Sequence, residues 1–132
     1  MDYLNVLNEV QEFTLRRERI LQKLRRELIR FSKCSCNEDL VRDLIEDLRE
    51  SRRKYVNVVV NIDKNLMNVD DDQLFTLLEY SAIIGLNNEL EILNIVCKYV
   101  RNGKITSIQL NEVLNDIEAV KSVINVLIDK MT

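Results

Sequence analysis

Apolar residues recur at alternating intervals of three and four along most of the chain. Few breaks interrupt them: there is no proline, and the only glycines are Gly85 and Gly103. This spacing puts the apolar side chains on one face of an α-helix. A first helix is predicted from about Asp2 to Lys33, with a seam of Leu7, Val10, Thr14, Arg17, Leu21, Leu24, Leu28 and Phe31. At 1.5 Å per residue it would be roughly 45 Å long. Thr14 and Arg17 are polar members of the seam, so two apolar ends flank a hydrophilic middle.

The small polar stretch Cys34-Ser35-Cys36-Asn37 demands a turn, and Ser35 with Glu38 reads as a capping box opening a second helix. Its seam is Val41, Leu44, Leu48, Ser51, Tyr55, Val58 and Ile62, with an end near Leu66. Residues 56–60 favour a strand locally, but the flanking periodicity overrides that preference. Asp70 or Asp71 is the expected N-cap of a third helix through Leu74, Leu77, Leu78, Ser81 and Ile84 to Leu90, Leu93, Val96, Cys97 and Val100. Gly85, in its middle, points to a kink, a close crossing or a break, and a continuous or mildly kinked helix is the preferred reading. Asn102-Gly103 signals a helix end. Thr106 with Gln109 reads as a further capping box before a last seam of Leu110, Val113, Ile117, Val120, Ile124, Leu127 and Met131. Short connections imply an all-α, antiparallel up-down-up-down four-helix bundle with long helices, one domain spanning residues 1–132.

The formal net charge of −3 conceals an uneven distribution. Residues 1–66 carry 14 basic and 12 acidic side chains, and residues 67–132 carry 5 and 10. On the first helix Arg16, Arg17, Arg19, Lys23, Arg25, Arg26, Arg30 and Lys33 face only Glu18 and Glu27. Arg49, Arg52, Arg53 and Lys54 continue the cluster on the second helix, and antiparallel pairing would join the two groups into a patch that attracts phosphates. The competing reading is a solvated helix face. With Tyr55 the only nearby aromatic on the second helix, and assigned to the core seam, no platform for base stacking is indicated, so binding would be salt-dependent and non-specific.

Other chemistry is less well supplied. The chain has no His, which removes the usual general base. Cys34-x-Cys36 lacks further ligands for zinc, and Cys97 falls at a buried helical position, so neither metal nor cofactor is expected. Three cysteines form no disulfide framework and suit a reducing, cytoplasmic compartment. The carboxylates Glu79, Glu89, Glu91, Glu112, Asp116 and Glu118 read as solvent-exposed counter-charges in preference to a divalent-cation site. The start of the chain lacks a leader-like pattern, and no stretch approaches the roughly 20 apolar residues of a membrane span.

The run Arg16-Arg17-Glu18-Arg19-Ile20-Leu21-Gln22-Lys23-Leu24-Arg25-Arg26-Glu27-Leu28-Ile29-Arg30-Phe31-Ser32-Lys33 resembles the opening helix of the translin and translin-associated factor X family. Leu78-Glu79-Tyr80 is similar to that family's Glu-Tyr helix, and Asn88-Glu89-Leu90 through Gly103 to its Gly-Glu-Leu helix and following turn. The resemblance implies an all-helical, oligomeric nucleic-acid-binding protein, with metal-dependent ribonuclease activity in some members. The chain is shorter than typical members. It has Ala82 where nuclease-type members carry a second Glu, and Gly85 where they carry an Asp, so only Glu79 and Glu89 of that pattern remain.

Together these features predict a self-associating bundle that binds nucleic acid, single-stranded RNA or DNA included, through Arg16, Arg19, Lys23, Arg25, Arg26, Arg30, Arg49, Arg52 and Arg53, with a metal-dependent nuclease as a third reading behind this one and the alternative that follows. The alternative is a structural or adaptor bundle, such as an assembly subunit or a viral structural component, acting through a protein partner.

Overall fold

The computed structural model describes residues 3–33, 37–66 and 72–132. The described residues are helical throughout their regular parts, with no strand among them. Helix α1 (Tyr3–Phe31) buries its entire anticipated seam, Thr14 and Arg17 included. Thr14 is accommodated because its hydroxyl donates back to the Val10 carbonyl at 2.8 Å.

Helix α2 (Glu38–Val60) begins differently from the capping box expected of Ser35 and Glu38. Ser35 lies outside the described residues, and Asn37 is the N-cap, its side-chain oxygen accepting from the Leu40 amide at 3.1 Å. The Glu38 carboxylate instead accepts from the Thr106 amide (2.8 Å) and from the Ser107 amide and hydroxyl (both 3.0 Å). These bonds hold the Glu38 carboxyl below its ordinary pKa, the Ser107 amide contributing most. The helix also ends earlier than Leu66. Asn61 bonds back to the Asn57 carbonyl and Asp63 accepts from the Asn65 amide, so local side-chain bonding replaces the ladder and leaves only a 3₁₀ turn at Lys64–Leu66. The β-branched run of residues 56–60 remains in α2.

Asp70 and Asp71 lie outside the described residues. Asp72 caps α3 (Gln73–Tyr80), accepting from the Leu74 amide and from the Tyr3 hydroxyl. The chain then passes without interruption through a π-helical turn, Ser81–Gly85, into α4 (Leu86–Arg101), making one helix over residues 73–101. The Leu86 amide donates to the Ser81 carbonyl five residues back. The extra residue resets the register, burying Ala82 and Gly85 and turning Ile84, expected in the seam, out to 46% exposure.

Gly103, at φ +80°, takes the left-handed conformation that ends α4. The following loop is pinned by buried Ile105 and Ile108, and α5 (Leu110–Met131) starts after Gln109, whose side chain makes no cap bond. The Thr106–Gln109 box is therefore not formed, because Glu38 already takes the Thr106 amide. Helix α1 lies along α2 and α4 along α5, with α1 also against α4 and α2 against α5. Among the described residues no helix is long and apolar enough to cross a membrane.

Candidate functional site

The basic residues singled out by sequence divide into two sets. On α1, Arg16, Arg19, Lys23, Arg25, Arg26 and Arg30 are all exposed. Their spacing lays Arg19, Lys23, Arg26 and Arg30 along one outer stripe, opposite the buried seam. Among the described residues, only Arg30 of this row is held in an ion pair, with Glu27 at 2.7 Å. On α2, Arg53 is exposed, and Lys54 pairs with Glu50 at 3.0 Å. Arg16 and Arg53 lie near enough to Glu50 to help Lys54, the main cause, hold its carboxyl below the ordinary value, which joins the α1 row to one corner of α2.

Arg52 and Arg49 do not belong to that surface. Arg52 is buried, its Nη2 donating to Asp116 Oδ1 at 2.6 Å and its Nη1 to Glu89 Oε2 at 3.3 Å. Arg49, half-buried, grips the same Asp116 with two bonds, Nε to Oδ1 at 2.9 Å and Nη2 to Oδ2 at 2.7 Å. The anticipated two-helix patch is therefore thinned, because two of its α2 arginines turn inward to carboxylates on α4 and α5 instead of outward to solvent. The outer edge of α2 still borders a groove of about 440 Å³ between Arg49, Arg53, Val56, Ala119, Val123 and Val126.

Behind this surface a charge network runs through the centre of the molecule. From the polar middle of α1, Arg17 points inward, 3% exposed, with Nε 3.7 Å from Glu89 Oε1. Its guanidinium lies 4.9 Å from the centroid of the Tyr55 ring, a cation–π contact, and Phe13 meets the same ring edge-on. Glu89 and Asp116 are buried, correcting the reading of both as solvated counter-charges. Their helical positions carried the signal: Glu89 lies three residues after Leu86 and four before Leu93, and Asp116 three after Val113 and four before Val120. Burial pushes the Glu89 carboxyl above its ordinary pKa, against the opposing charges of Arg17 and Arg52. Gly85 has a direct part here, since a Cβ at that position would stand 3.1 Å from Arg17 Nη1.

Glu79 is exposed on α3 while Glu89 is committed to arginines, and among the described residues no group of three or more His, Cys, Asp or Glu is placed to hold a metal ion. Cys97 is buried, and Cys34 and Cys36 lie outside the described residues. A different surface, not anticipated from the sequence, is created by the π turn: Ile83 and Ile84 are 61% and 46% exposed, beside Tyr80, whose hydroxyl donates to Glu18 of α1 at 2.8 Å. Comparison of the chain with protein-family models, with curated proteins and with solved structures found no match.

Proposed function

We propose that this protein is a self-associating, translin-like helical bundle that binds nucleic acid non-specifically through the outer face of α1. The observation that carries the proposal is the exposed row of Arg16, Arg19, Lys23, Arg25, Arg26 and Arg30, in which, among the described residues, Arg30 alone has an intramolecular ion-pair partner. Cations left without carboxylates are available to phosphates, and contacts of that kind position a polyanion without reading its sequence. Arg53 extends the surface. Arg49 and Arg52 act behind it as structural groups.

The helices are read as alternating up-down-up-down, an arrangement that displays α1 along its full length. Four contacts support this. Tyr3 at the start of α1 meets Asp72 at the start of α3, and Phe31 at the end of α1 packs 5.9 Å from Tyr99 near the end of α4. Glu38 at the start of α2 holds the loop leading into α5, and Lys130 at the end of α5 donates to the Ile62 carbonyl beyond α2 at 2.7 Å. A cytoplasmic location suits this reading.

The test is a fluorescence-anisotropy titration of labelled single-stranded RNA and duplex DNA at several salt concentrations. Arg25→Glu/Arg26→Glu/Arg30→Glu should remove binding, and single neutral replacements should lower the slope of log K against log salt by about 0.7 per lost contact on a single strand. Tight binding by the triple variant, or no binding by the parent chain at low salt, rejects the proposal.

The second reading, a structural or adaptor bundle, is favoured by the outward-facing Ile83, Ile84 and Tyr80. These would form the contact to a protein partner or a second copy, and such an apolar contact would persist at high salt.

A further inference from the structure

We propose that the groove between α2 and α5 binds an amphiphilic monoanion, a medium-chain alkyl carboxylate, with its head at Arg53 and its tail against Val56, Val123 and Val126. The groove has a volume of about 440 Å³. Small-molecule sites of this size are mostly apolar, with a few placed polar groups. It exists because the two helices are clasped on either side of it. Towards their starts, Arg49 and Arg52 bind Asp116. Towards their ends, Lys130 donates to the Ile62 carbonyl at 2.7 Å. Between the clasps α5 presents Ala119, Val123 and Val126 at helical spacing, and α2 presents Val56. These short side chains leave the gap open.

Charge identifies the head group. Of the three arginines lining the groove, Arg52 is committed to Glu89 and Asp116. Arg49 is held by Asp116, with Glu112 and Glu46 adding their attraction. Those last two carboxylates lie a turn before Asp116 and Arg49, on the side away from the valines. Arg53 differs from both: it is exposed, and among the described residues it makes no ion pair. Its neighbour Glu50 is bonded to Lys54 at 3.0 Å. One open cation therefore stands over the groove.

Polarity along the groove identifies the tail. Beyond Arg53, with Ser122 and Asn57 on the rim, the lining becomes Val56, Val123 and Val126. Val60, a further turn along α2 and 50% exposed, continues the apolar wall past that end. The rise from Ala119 to Val126 is about 10 Å, the length of an extended alkyl chain of medium size. A polyanion would meet a single cation and a hydrocarbon floor, and a neutral lipid would leave Arg53 unmatched. A ligand with one negative charge and one short hydrocarbon body fits both ends.

The experiment is a titration of the full chain with decanoate, below its micelle-forming concentration and without nucleic acid, followed by amide NMR and calorimetry. Saturable shifts should centre on Arg53, Val56, Ala119, Val123 and Val126. From hexanoate to decanoate, affinity should rise about threefold to fourfold per methylene, and it should level off in longer chains once the groove is filled. Arg53→Gln should weaken decanoate by about threefold to fivefold, the worth of an exposed ion pair, and leave decanol unaffected. Ala119→Leu, which fills the floor, should weaken both. The proposal is overturned by an absence of saturable shifts, by shifts centred on Ile83 and Ile84, by decanol or decylammonium binding as tightly as decanoate, or by affinity that keeps climbing with chain length. Groove shifts that follow protein concentration alone identify a second copy as the occupant and overturn it too. Should Ala119→Leu fail to fold, Arg53→Gln and the chain-length series decide alone.

Discussion

Asp116→Leu should be among the most damaging single substitutions in this protein, and its cost follows from the bonds it removes. Asp116 accepts three hydrogen bonds, two from Arg49 and one from Arg52. The Arg49 bonds count for less, because its side chain is 35% exposed and water can replace the lost partner. Arg52 has no such recourse: at 5% exposure it would keep only the 3.3 Å bond to Glu89. Removing one partner of a buried ion pair costs about 3–5 kcal/mol, most of it the penalty of stranding the other charge. An unfolding entropy of about 2.1 cal/mol/K per residue converts 4 kcal/mol into a fall in Tm of roughly 14 °C for a chain of this length.

The sign of the double variant makes the test discriminating. Arg52→Met alone should cost a similar amount, since it deprives both carboxylates, whereas Arg52→Met/Asp116→Leu replaces a buried pair by apolar side chains and should recover a large part of either loss. Glu89 retains Arg17 in that background, and its raised pKa lets it become neutral by taking up a proton. Urea unfolding of the four proteins gives the coupling energy, expected at about 1.5–3 kcal/mol. A cost below about 1 kcal/mol for Asp116→Leu, or strictly additive losses, would refute the claim that these groups form one desolvated network.

Further consequences can be checked in the same way. Gly85→Ala gains roughly 1 kcal/mol of helix propensity but sets a methyl 3.1 Å from Arg17 Nη1, so chemical unfolding should show a net loss of about 1 kcal/mol. That loss should vanish in an Arg17→Met background. Glu38, whose pKa is lowered in the folded state, contributes stability above its ordinary value of 4.5 that disappears as pH falls through the folded pKa, so the gap between parent and Glu38→Gln should close on acidification. Glu89 has the opposite sign: its folded pKa is raised, its protonated form favours folding, and that contribution is lost as pH rises through the folded value. In carboxyl NMR titrations, Arg17→Met should move the Glu89 midpoint higher still. Ile83→Glu/Ile84→Glu should change stability by less than about 0.5 kcal/mol yet reduce the mass measured by light scattering if the π turn is an association surface.

The helical seams were readable because burial and spacing agree. Every anticipated member of the α1 seam is buried, and Val113, Ile117, Val120 and Leu127 are buried on α5. Where the reading failed, a local competitor was responsible. Asn37 caps the start of α2, Glu38 satisfied amides in a loop some seventy residues away, and Asn61 and Asp63 cut α2 short. Long-range capping of the kind Glu38 performs has no signature in local sequence. The basic row on α1 was legible as charge, but the division of the α2 arginines was not. Arg49, Arg52 and Arg53 are near neighbours along the chain, and only the positions of Asp116 and Glu89 on other helices decide which of them point inward.

The polar middle of α1, Gly85 and the buried carboxylates are parts of one arrangement. Arg17 is too large and too strongly charged to sit in a helical core unless its neighbours make room and supply countercharge. The π turn meets the first need by adding a residue before α4, which puts Ser81, Ala82 and Gly85 on the buried side and leaves no side chain at the point nearest Nη1. Glu89, one turn beyond Gly85 on the same face, meets the second. The same turn faces Ile84, expected in the seam, outward beside Ile83. An apolar replacement for Arg17 would remove the need for both devices, so a chain optimised for stability alone would have no reason to keep them. The central network and the outward-facing Ile84 therefore meet at the π turn, and the Gly85→Ala and Ile83→Glu/Ile84→Glu variants probe its two sides.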